Sequence, residues 1–543
     1  FACWGEECQL QFNGMWAFAI WDNRLERLFL SRDRFGVKPL FFFQRDGRFA
    51  FSSEMKGFLP LPWFAMQFDE GAVALAIAQP AALEVTERCI FRGVRRLRPG
   101  HSLTVRPGGK IEINQWWQTA DHLPRVPPTF AAQVRQFRRL FFDAIRLRLR
   151  SDVPIACTVS GGLDSSSIAC TIARLQQVGE GLERHAPGPP MAFIASYPNS
   201  SHDEADVARA VARHAGFETV AVQVDPATTA VFFDEFLLQM EEVQSPHVGP
   251  WLLYRAMRDR GIRVSLDGHG GDELLAGYKE HVRYARDAAL RRLPRLRQAA
   301  HFSAILRGLT SGTYHRPTGG RYFDEGLRWY RRLRGRKTGR SLPARGPQEV
   351  TPIDLLRGVA SSDLMNPEGY QKRSEGWRLS RLLFEDFHHR ALPTILRDFD
   401  RFSMACGVEI RSPFLDWRLV CFCLSLPTKA ILGGGFTKRI LREAMRGIVP
   451  EEARTRRTKI PYKSPFPEWW TGALRELVMD SVHSAAFLSS GIWDGPGIRR
   501  LVHAAPDGQP FAHATAVMRF VAAHRLMALF AEARERCLVR SRA

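Results

Sequence analysis

Seven consecutive residues, Ser160-Gly161-Gly162-Leu163-Asp164-Ser165-Ser166, have the composition to hold a polyphosphate. Two glycines let the backbone approach phosphate oxygens closely. Ser165 and Ser166 offer hydroxyls, and the free N–H groups of a helix starting here favour anions. A carboxylate is misplaced against bare phosphate, so Asp164 implies a Mg2+ ion between the two. The GK[ST] ending of a Walker A loop is absent. A second glycine-rich and acidic run, Asp267-Gly268-His269-Gly270-Gly271-Asp272-Glu273, follows further along the chain.

Both runs sit where strands end. Ile155–Val159 is a short apolar strand leading into the first run, which opens a helix reaching about Val178. Met191–Tyr197 reads as a strand, Glu204–His214 as a helix closed by Gly216, and Thr219–Val224 as a strand. Trp251–Arg260 is a helix closed by Gly261, and Ile262–Leu266 is a strand entering the second run. Alternating strands and helices of this length predict a doubly wound parallel sheet, which binds ligands at the carboxyl ends of its strands. Ahead of it, Phe130–Arg150 is an amphipathic helix with Val134, Phe137, Phe141 and Ile145 on one face, preceded by a linker marked by Pro124, Pro127 and Pro128. Beyond Lys279 the pattern is almost entirely helical.

Residues 1–60 read differently. Gly14–Asp22 has a buried-strand pattern, Leu28–Ser31 a second strand, and Leu40–Phe43 and Arg48–Ser52 flank a turn at Asp46-Gly47, predicting one antiparallel layer. Residues 71–83 look helical, and Ser102–Val105 and Ile111–Ile113 bracket Pro107-Gly108-Gly109 as a hairpin.

The chain has 543 residues, 45% hydrophobic and 24% charged, which excludes wholesale disorder and implies two or three domains. Its net charge is +21, of which roughly +14 lies between Lys279 and Arg345. No aromatic stacking motif accompanies that segment, so a solvated helical face is the reading and a nucleic-acid partner is not expected. The longest apolar run, Ala72–Ala78, meets Gln79 and Pro80, so no membrane span is expected. Nine cysteines without CxxC spacing fit a reducing cytoplasm. His388-His389 has no matching ligands at metal-site spacing and reads as structural.

The Ser160–Ser166 run resembles the SGGxDS pyrophosphate loop of the ATP pyrophosphatase superfamily, whose members activate carboxylates or carbonyls as adenylates. Gly14–Asp22, Ser31–Leu40 and Phe51–Lys56 are similar to the latter half of the glutaminase domain of glutamine-hydrolysing asparagine synthetases. Ile90–Val94 and Leu97–His101 resemble that family's passage from glutaminase to synthetase, and Arg397–Asp416 its C-terminal signature. The resemblance implies a partial Ntn-type class II glutaminase over 1–120, built of antiparallel β layers with helices. An ATP pyrophosphatase domain with a helical C-terminal region would then cover 121–540. The family's glutaminase is led by an N-terminal cysteine; residue 1 here is Phe, and neither Cys3 nor Cys8 is expected to replace that nucleophile.

For the synthetase half, the resemblance places ATP contacts on Thr158, Ser160, Gly161, Gly162, Asp164, Ser165, Ala195, Asp267 and Gly268. It pairs Asp272 with Asp164 around Mg2+ and pyrophosphate, and sets Lys459 on the developing phosphate charge. The implied reaction takes aspartate, ATP and glutamine to asparagine, AMP, pyrophosphate and glutamate, in a protein that admits a homodimer. One position departs from the family. Asparagine synthetases usually carry SGxGxDE with a carboxylate at the first x, where this chain has His269. An imidazole there could accept the proton of the attacking amine, position substrate, or serve a local structural role. The DGxGGDE form also resembles relatives acting on other carboxylates, lasso-peptide cyclases among them, so the acceptor stays open.

Overall fold

The computed structural model describes residues 1–179, 190–200, 202–243, 247–292, 355–357, 379–458, 464–505 and 509–540. Most of the basic 279–345 segment and all of Lys459 lie outside the described residues.

Seven strands form the N-terminal β layers: β1 (Ala17–Asp22), β2 (Arg27–Arg32), β3 (Phe41–Arg45), β4 (Arg48–Ser52), β5 (Arg95–Arg96), β6 (His101–Val105) and β7 (Ile111–Gln115). They build two antiparallel sheets, ordered β1-β2-β6-β7 and β4-β3-β5, where one layer was expected from residues 1–60. The division falls at Arg32-Asp33. The Asp33 carboxylate accepts from the N–H groups of Trp16, Phe35, Val37 and Lys38, at 2.9–3.2 Å. The Arg32 guanidinium donates to the carbonyls of Gly36, Lys38 and Leu97 at 2.6–2.8 Å. This knot satisfies the turn's backbone inside the protein and turns the chain into the second sheet. The Asp46-Gly47 turn is as expected, with positive φ at both residues (50° and 72°). β1, expected to be buried, is an edge strand instead, with Trp21 58% exposed. The helical stretch 71–83 divides into Glu70–Ala78 and Pro80–Glu84, because Pro80 cannot continue a helix.

The remainder is organised on β8 (Ile155–Thr158), β9 (Met191–Ser196), β10 (Glu218–Gln223), β11 (Val264–Leu266) and β12 (Glu409–Arg411). These run parallel in the order β10-β9-β8-β11-β12. The chain winds outward from β8 to β10, then crosses back to β11 on the other side of β8. The order therefore reverses between β8 and β11, where a doubly wound sheet opens its ligand crevice. β12, three residues inside a stretch read as helical, completes that edge.

One apolar core joins the N-terminal layers to the rest: Phe41, Phe64 and Phe91 share it with Trp251 and Phe530. Phe91 and Phe530 meet edge to face at 4.8 Å. Phe530 belongs to the helix Ala514–Arg540, which by length and composition alone could cross a bilayer. Half of its apolar window is buried in the protein. Arg525 pairs with Asp234, and Arg534 donates to the carbonyls of Leu59, Leu61 and Phe64. Those contacts are those of a core helix.

Candidate active site between the two central strands

Leu266 of β11 lies level with Cys157 of β8, so the two glycine-rich runs leave the sheet side by side. The first closes on itself. Ser165 Oγ accepts from the Ser160 N–H at 3.2 Å, lies 3.2 Å from Ser160 Oγ and donates to the Gly162 carbonyl at 3.3 Å. Gly161 needs its φ of +71°, and a Cβ there would stand 3.0 Å from Val207. Gly162 is the N-cap of the helix Leu163–Val178, which follows β8 directly after this loop. Ser166, expected to offer a hydroxyl, is fully buried because the helix turns that position towards the core.

The second run packs directly on the first. A Cβ on Gly268 would lie 3.1 Å from the Asp164 Cβ, and one on Gly271 would lie 2.8 Å from its carboxyl carbon. Glycine at these positions lets Asp164 and Asp272 converge. What they converge on is Lys438, a residue absent from the sequence-based expectations. Its Nζ bonds Asp164 Oδ2 and stands 2.6 Å from Asp272 Oδ1. Burial opposes the charge on Lys438, but the two carboxylates outweigh burial and hold its pKa above the ordinary lysine value. Lys438 also has a left-handed backbone, φ +52°, a conformation non-glycine residues adopt at some cost.

Asp267 faces inward, with 1% exposure. Oδ1 accepts from Ser265 Oγ at 2.6 Å and from the Thr158 N–H at 3.3 Å, and Oδ2 accepts from Tyr254 Oη. Burial pushes the acid up, yet the hydroxyls and the neighbouring imidazole outweigh it and keep Asp267 below the usual carboxylate value. Its carboxylate thus ties β8, β11 and the helix Val248–Asp259 together, so a ligand would meet only its backbone. His269 Nε2 stands 3.7 Å from Asp267 Oδ2, and its ring lies 4.0 Å from that of Phe399, centroid to centroid. Ala195 stands half-buried at the carboxyl end of β9.

Beyond Asp272 the turn is braced. Tyr278 Oη donates to Glu273 Oε1, and the Tyr278 N–H faces His281 Nδ1 at 3.4 Å. His281 Nε2 lies 2.8 Å from Asp386 Oδ2, and both side chains are buried. His388 is buried as well, and burial pushes its pKa down to about 3, in keeping with a structural role. On the opposite rim Arg456 pairs with Glu204 at 2.6 Å. Among the described residues no group of three or more His, Cys, Asp and Glu could hold a metal ion alone. Asp164 and Asp272 do fit a Mg2+ shared with substrate phosphates, since that ion prefers one or two carboxylates plus phosphate oxygens.

The family model for asparagine synthase matches residues 136–528, and that for a glutamine amidotransferase domain matches residues 1–117. The chain belongs to the asparagine synthase family. It is 24% identical to asparagine synthetase [glutamine-hydrolyzing] 1 of Bacillus subtilis (strain 168), over 88% of this chain and 72% of that protein. To asparagine synthetase [glutamine-hydrolyzing] 3 of the same organism it is 28% identical, over 86% and 70%. The amidase chyE of Penicillium rubens is 32% identical over 49% of this chain and 40% of that protein. These likenesses make the chain a ligase-type, ATP-dependent amidotransferase.

Proposed function

We propose that the crevice between β8 and β11 binds ATP and activates the side-chain carboxylate of aspartate as an acyl-adenylate, releasing pyrophosphate. Ammonia drawn from glutamine then attacks, giving asparagine, AMP and glutamate. The convergence of Asp164 and Asp272, from the ends of adjacent strands, on one buried cation supports this reading. Mg2+ bound there would neutralise charge on the departing pyrophosphate. The N–H groups opening the helix Leu163–Val178, with Ser160, Gly161, Gly162 and Ser165, orient the polyphosphate. Thr158, Gly268 and the backbone of Asp267 lie at the strand ends beneath it, and Ala195 beside it. His269 accepts the proton from the attacking ammonia, and Lys459 stabilises phosphate charge in the transition state.

A second acceptor class has its own support. The imidazole of His269 against Phe399 presents a less acidic, more apolar surface than the carboxylate usual at this position. That favours an acceptor carboxylate on a larger molecule. Incubating the full chain with ATP, Mg2+, aspartate and ammonium chloride, and scoring asparagine and pyrophosphate together, separates the two. Equal yields of both establish the synthetase reading. Folded protein that binds ATP yet forms neither product sinks the aspartate assignment and directs the search to other carboxylates.

A further inference from the structure

We infer that Lys438 is a built-in counter-cation that holds Asp164 and Asp272 in place of the divalent ion until the metal arrives together with the polyphosphate. This rests on the ATP reading above and adds the order in which the site fills.

The lysine is placed by more than a salt bridge. Its N–H donates to the Leu275 carbonyl at 3.1 Å, so its backbone is fastened to the turn that carries Asp272. Its own carbonyl accepts from the Arg442 N–H at 3.0 Å, at the start of the helix Arg439–Ala444. Between these two bonds φ is +52°, an unfavourable backbone for any side chain except where its surroundings impose it. Gly277 leaves room for the aliphatic stem: a Cβ there would come 2.6 Å from Lys438 Cε and would also strike the Asp272 carboxylate. The side chain is 7% exposed, against 15% for Asp164 and 22% for Asp272. The ammonium therefore sits beneath the carboxylates, and they face the crevice mouth.

Two carboxylates this close repel each other in a poorly solvated site, and Lys438 compensates that repulsion before any ligand binds. A free divalent cation would meet carboxylates already engaged by Lys438 and would have to displace a buried ammonium. A polyphosphate changes this. It brings negative charge that Lys438 can turn to while the carboxylates pass to the metal. Lys438 thus disfavours a metal-only complex and couples metal entry to the nucleotide.

The test needs no turnover. Mn2+, as the probe for Mg2+, is titrated into the full-length protein and followed by the electron paramagnetic resonance of the free ion, with and without a non-hydrolysable ATP analogue, and the analogue's own Mn2+ uptake, measured without protein, is subtracted. We expect saturable binding to the wild type only with the analogue. In Lys438→Met, nucleotide-free binding should tighten at least about tenfold as the competing charge is removed. Lys438→Met/Asp272→Asn should lose that gain. Equal nucleotide-free affinity in wild type and Lys438→Met overturns the inference, and so does tight wild-type binding without nucleotide. If Lys438→Met does not fold, the wild-type pair of titrations still decides the matter. Binding in neither wild-type titration would sink the ATP reading itself, and this inference with it.

Discussion

Two of the groups of charged side chains among the described residues are built differently. One lies where the N-terminal β layers meet the helices on the far side. Arg96, Arg397, Arg401, Lys38 and Lys56 interleave there with Glu84, Glu241, Glu242 and Asp400, in contacts of 2.8–3.9 Å. Cations and anions nearly match, and backbone N–H groups supplement them: those of Met55 and Lys56 donate to Glu241. Burial opposes the charge on Arg96 and Arg397, but the surrounding carboxylates outweigh it and raise both pKa values. The other group is the crevice, where two carboxylates share Lys438 and remain partly exposed. At the interface the carboxylates and the basic side chains alternate; in the crevice Asp164 and Asp272 meet on Lys438. Charge that fixes two parts together and charge at the proposed ligand site differ in exposure, 1–6% for Glu84, Glu242, Arg96 and Arg397 against 15% and 22% for Asp164 and Asp272.

Substitutions should separate the two. The largest effect is expected for Asp164→Asn. If Asp164 holds the metal and the leaving group as proposed, pyrophosphate formation should fall by at least about a thousandfold. Stability should change by less than about 1 kcal/mol, since Lys438 keeps Asp272 as partner and a like-charge repulsion disappears. Pyrophosphate release and a urea midpoint on the same preparation check both halves. At the interface the pattern should invert. Glu84→Gln leaves Arg96 and Arg397 short of one buried partner and should cost about 3 kcal/mol, with ammonia-dependent turnover at saturating substrate within about twofold of wild type. A loss of turnover with intact stability in Glu84→Gln would erase the distinction.

The same contrast explains what could be read from the residues alone. The placement of the two crevice loops was legible because glycines and an acid directly follow a short apolar strand, and the chain shows that pattern twice. β8 to β11 were legible for the same reason. Lys438 was not: within Thr437-Lys438-Arg439-Ile440 it looks like any helix-entry lysine, and only the fold carries it to Asp272. Ser166 was misjudged because a loop pattern does not tell which hydroxyl the following helix turns inward. β12 is too short for any periodicity to register, and its partner β11 lies far away in sequence. Lys38, Lys56, Arg397, Asp400 and Arg401 of the interface lie in stretches that carry the family resemblance, but nothing local in the sequence pairs them with partners far along the chain. The splitting of the N-terminal layer at Arg32-Asp33 depends on hydrogen bonds to Leu97, which local pattern cannot supply.

Asp416 tests whether closed charge clusters answer to pH as expected. Burial alone would raise its pKa, but Arg418, Arg148 and Asn13 outweigh burial and hold it down at about 2. The unfolded chain, with an ordinary value near 3.9, binds the proton more readily than the folded protein does. The resulting stabilisation is complete above about pH 4 and is lost as pH falls towards 2, and it amounts to about 2–3 kcal/mol. Asp416→Asn carries no such linkage. Urea midpoints should therefore place the variant about 2–3 kcal/mol below wild type at pH 7, with the gap narrowing as pH drops below about 4. A gap independent of pH would mean that the carboxylate contributes through its shape and not its charge.

The smallest effect is the most informative for the boundary between the two groups. Asp267 lies in the crevice motif, yet it is built like the interface: 1% exposed, with its oxygens occupied by Ser265, Thr158 and Tyr254. If its role is to set the level of β8 against β11, Tyr254→Phe should cost about 1–2 kcal/mol of stability, the price of one hydrogen bond to a buried charge. The KM for ATP should move by less than about threefold, because neighbouring donors keep Asp267 in place. If Asp267 instead turns to the nucleotide, freeing it from Tyr254 would change the KM for ATP more than the urea midpoint. The geometry favours the first outcome, since the carboxylate's hydrogen bonds run to Ser265 of β11, Thr158 of β8 and Tyr254 of the helix Val248–Asp259.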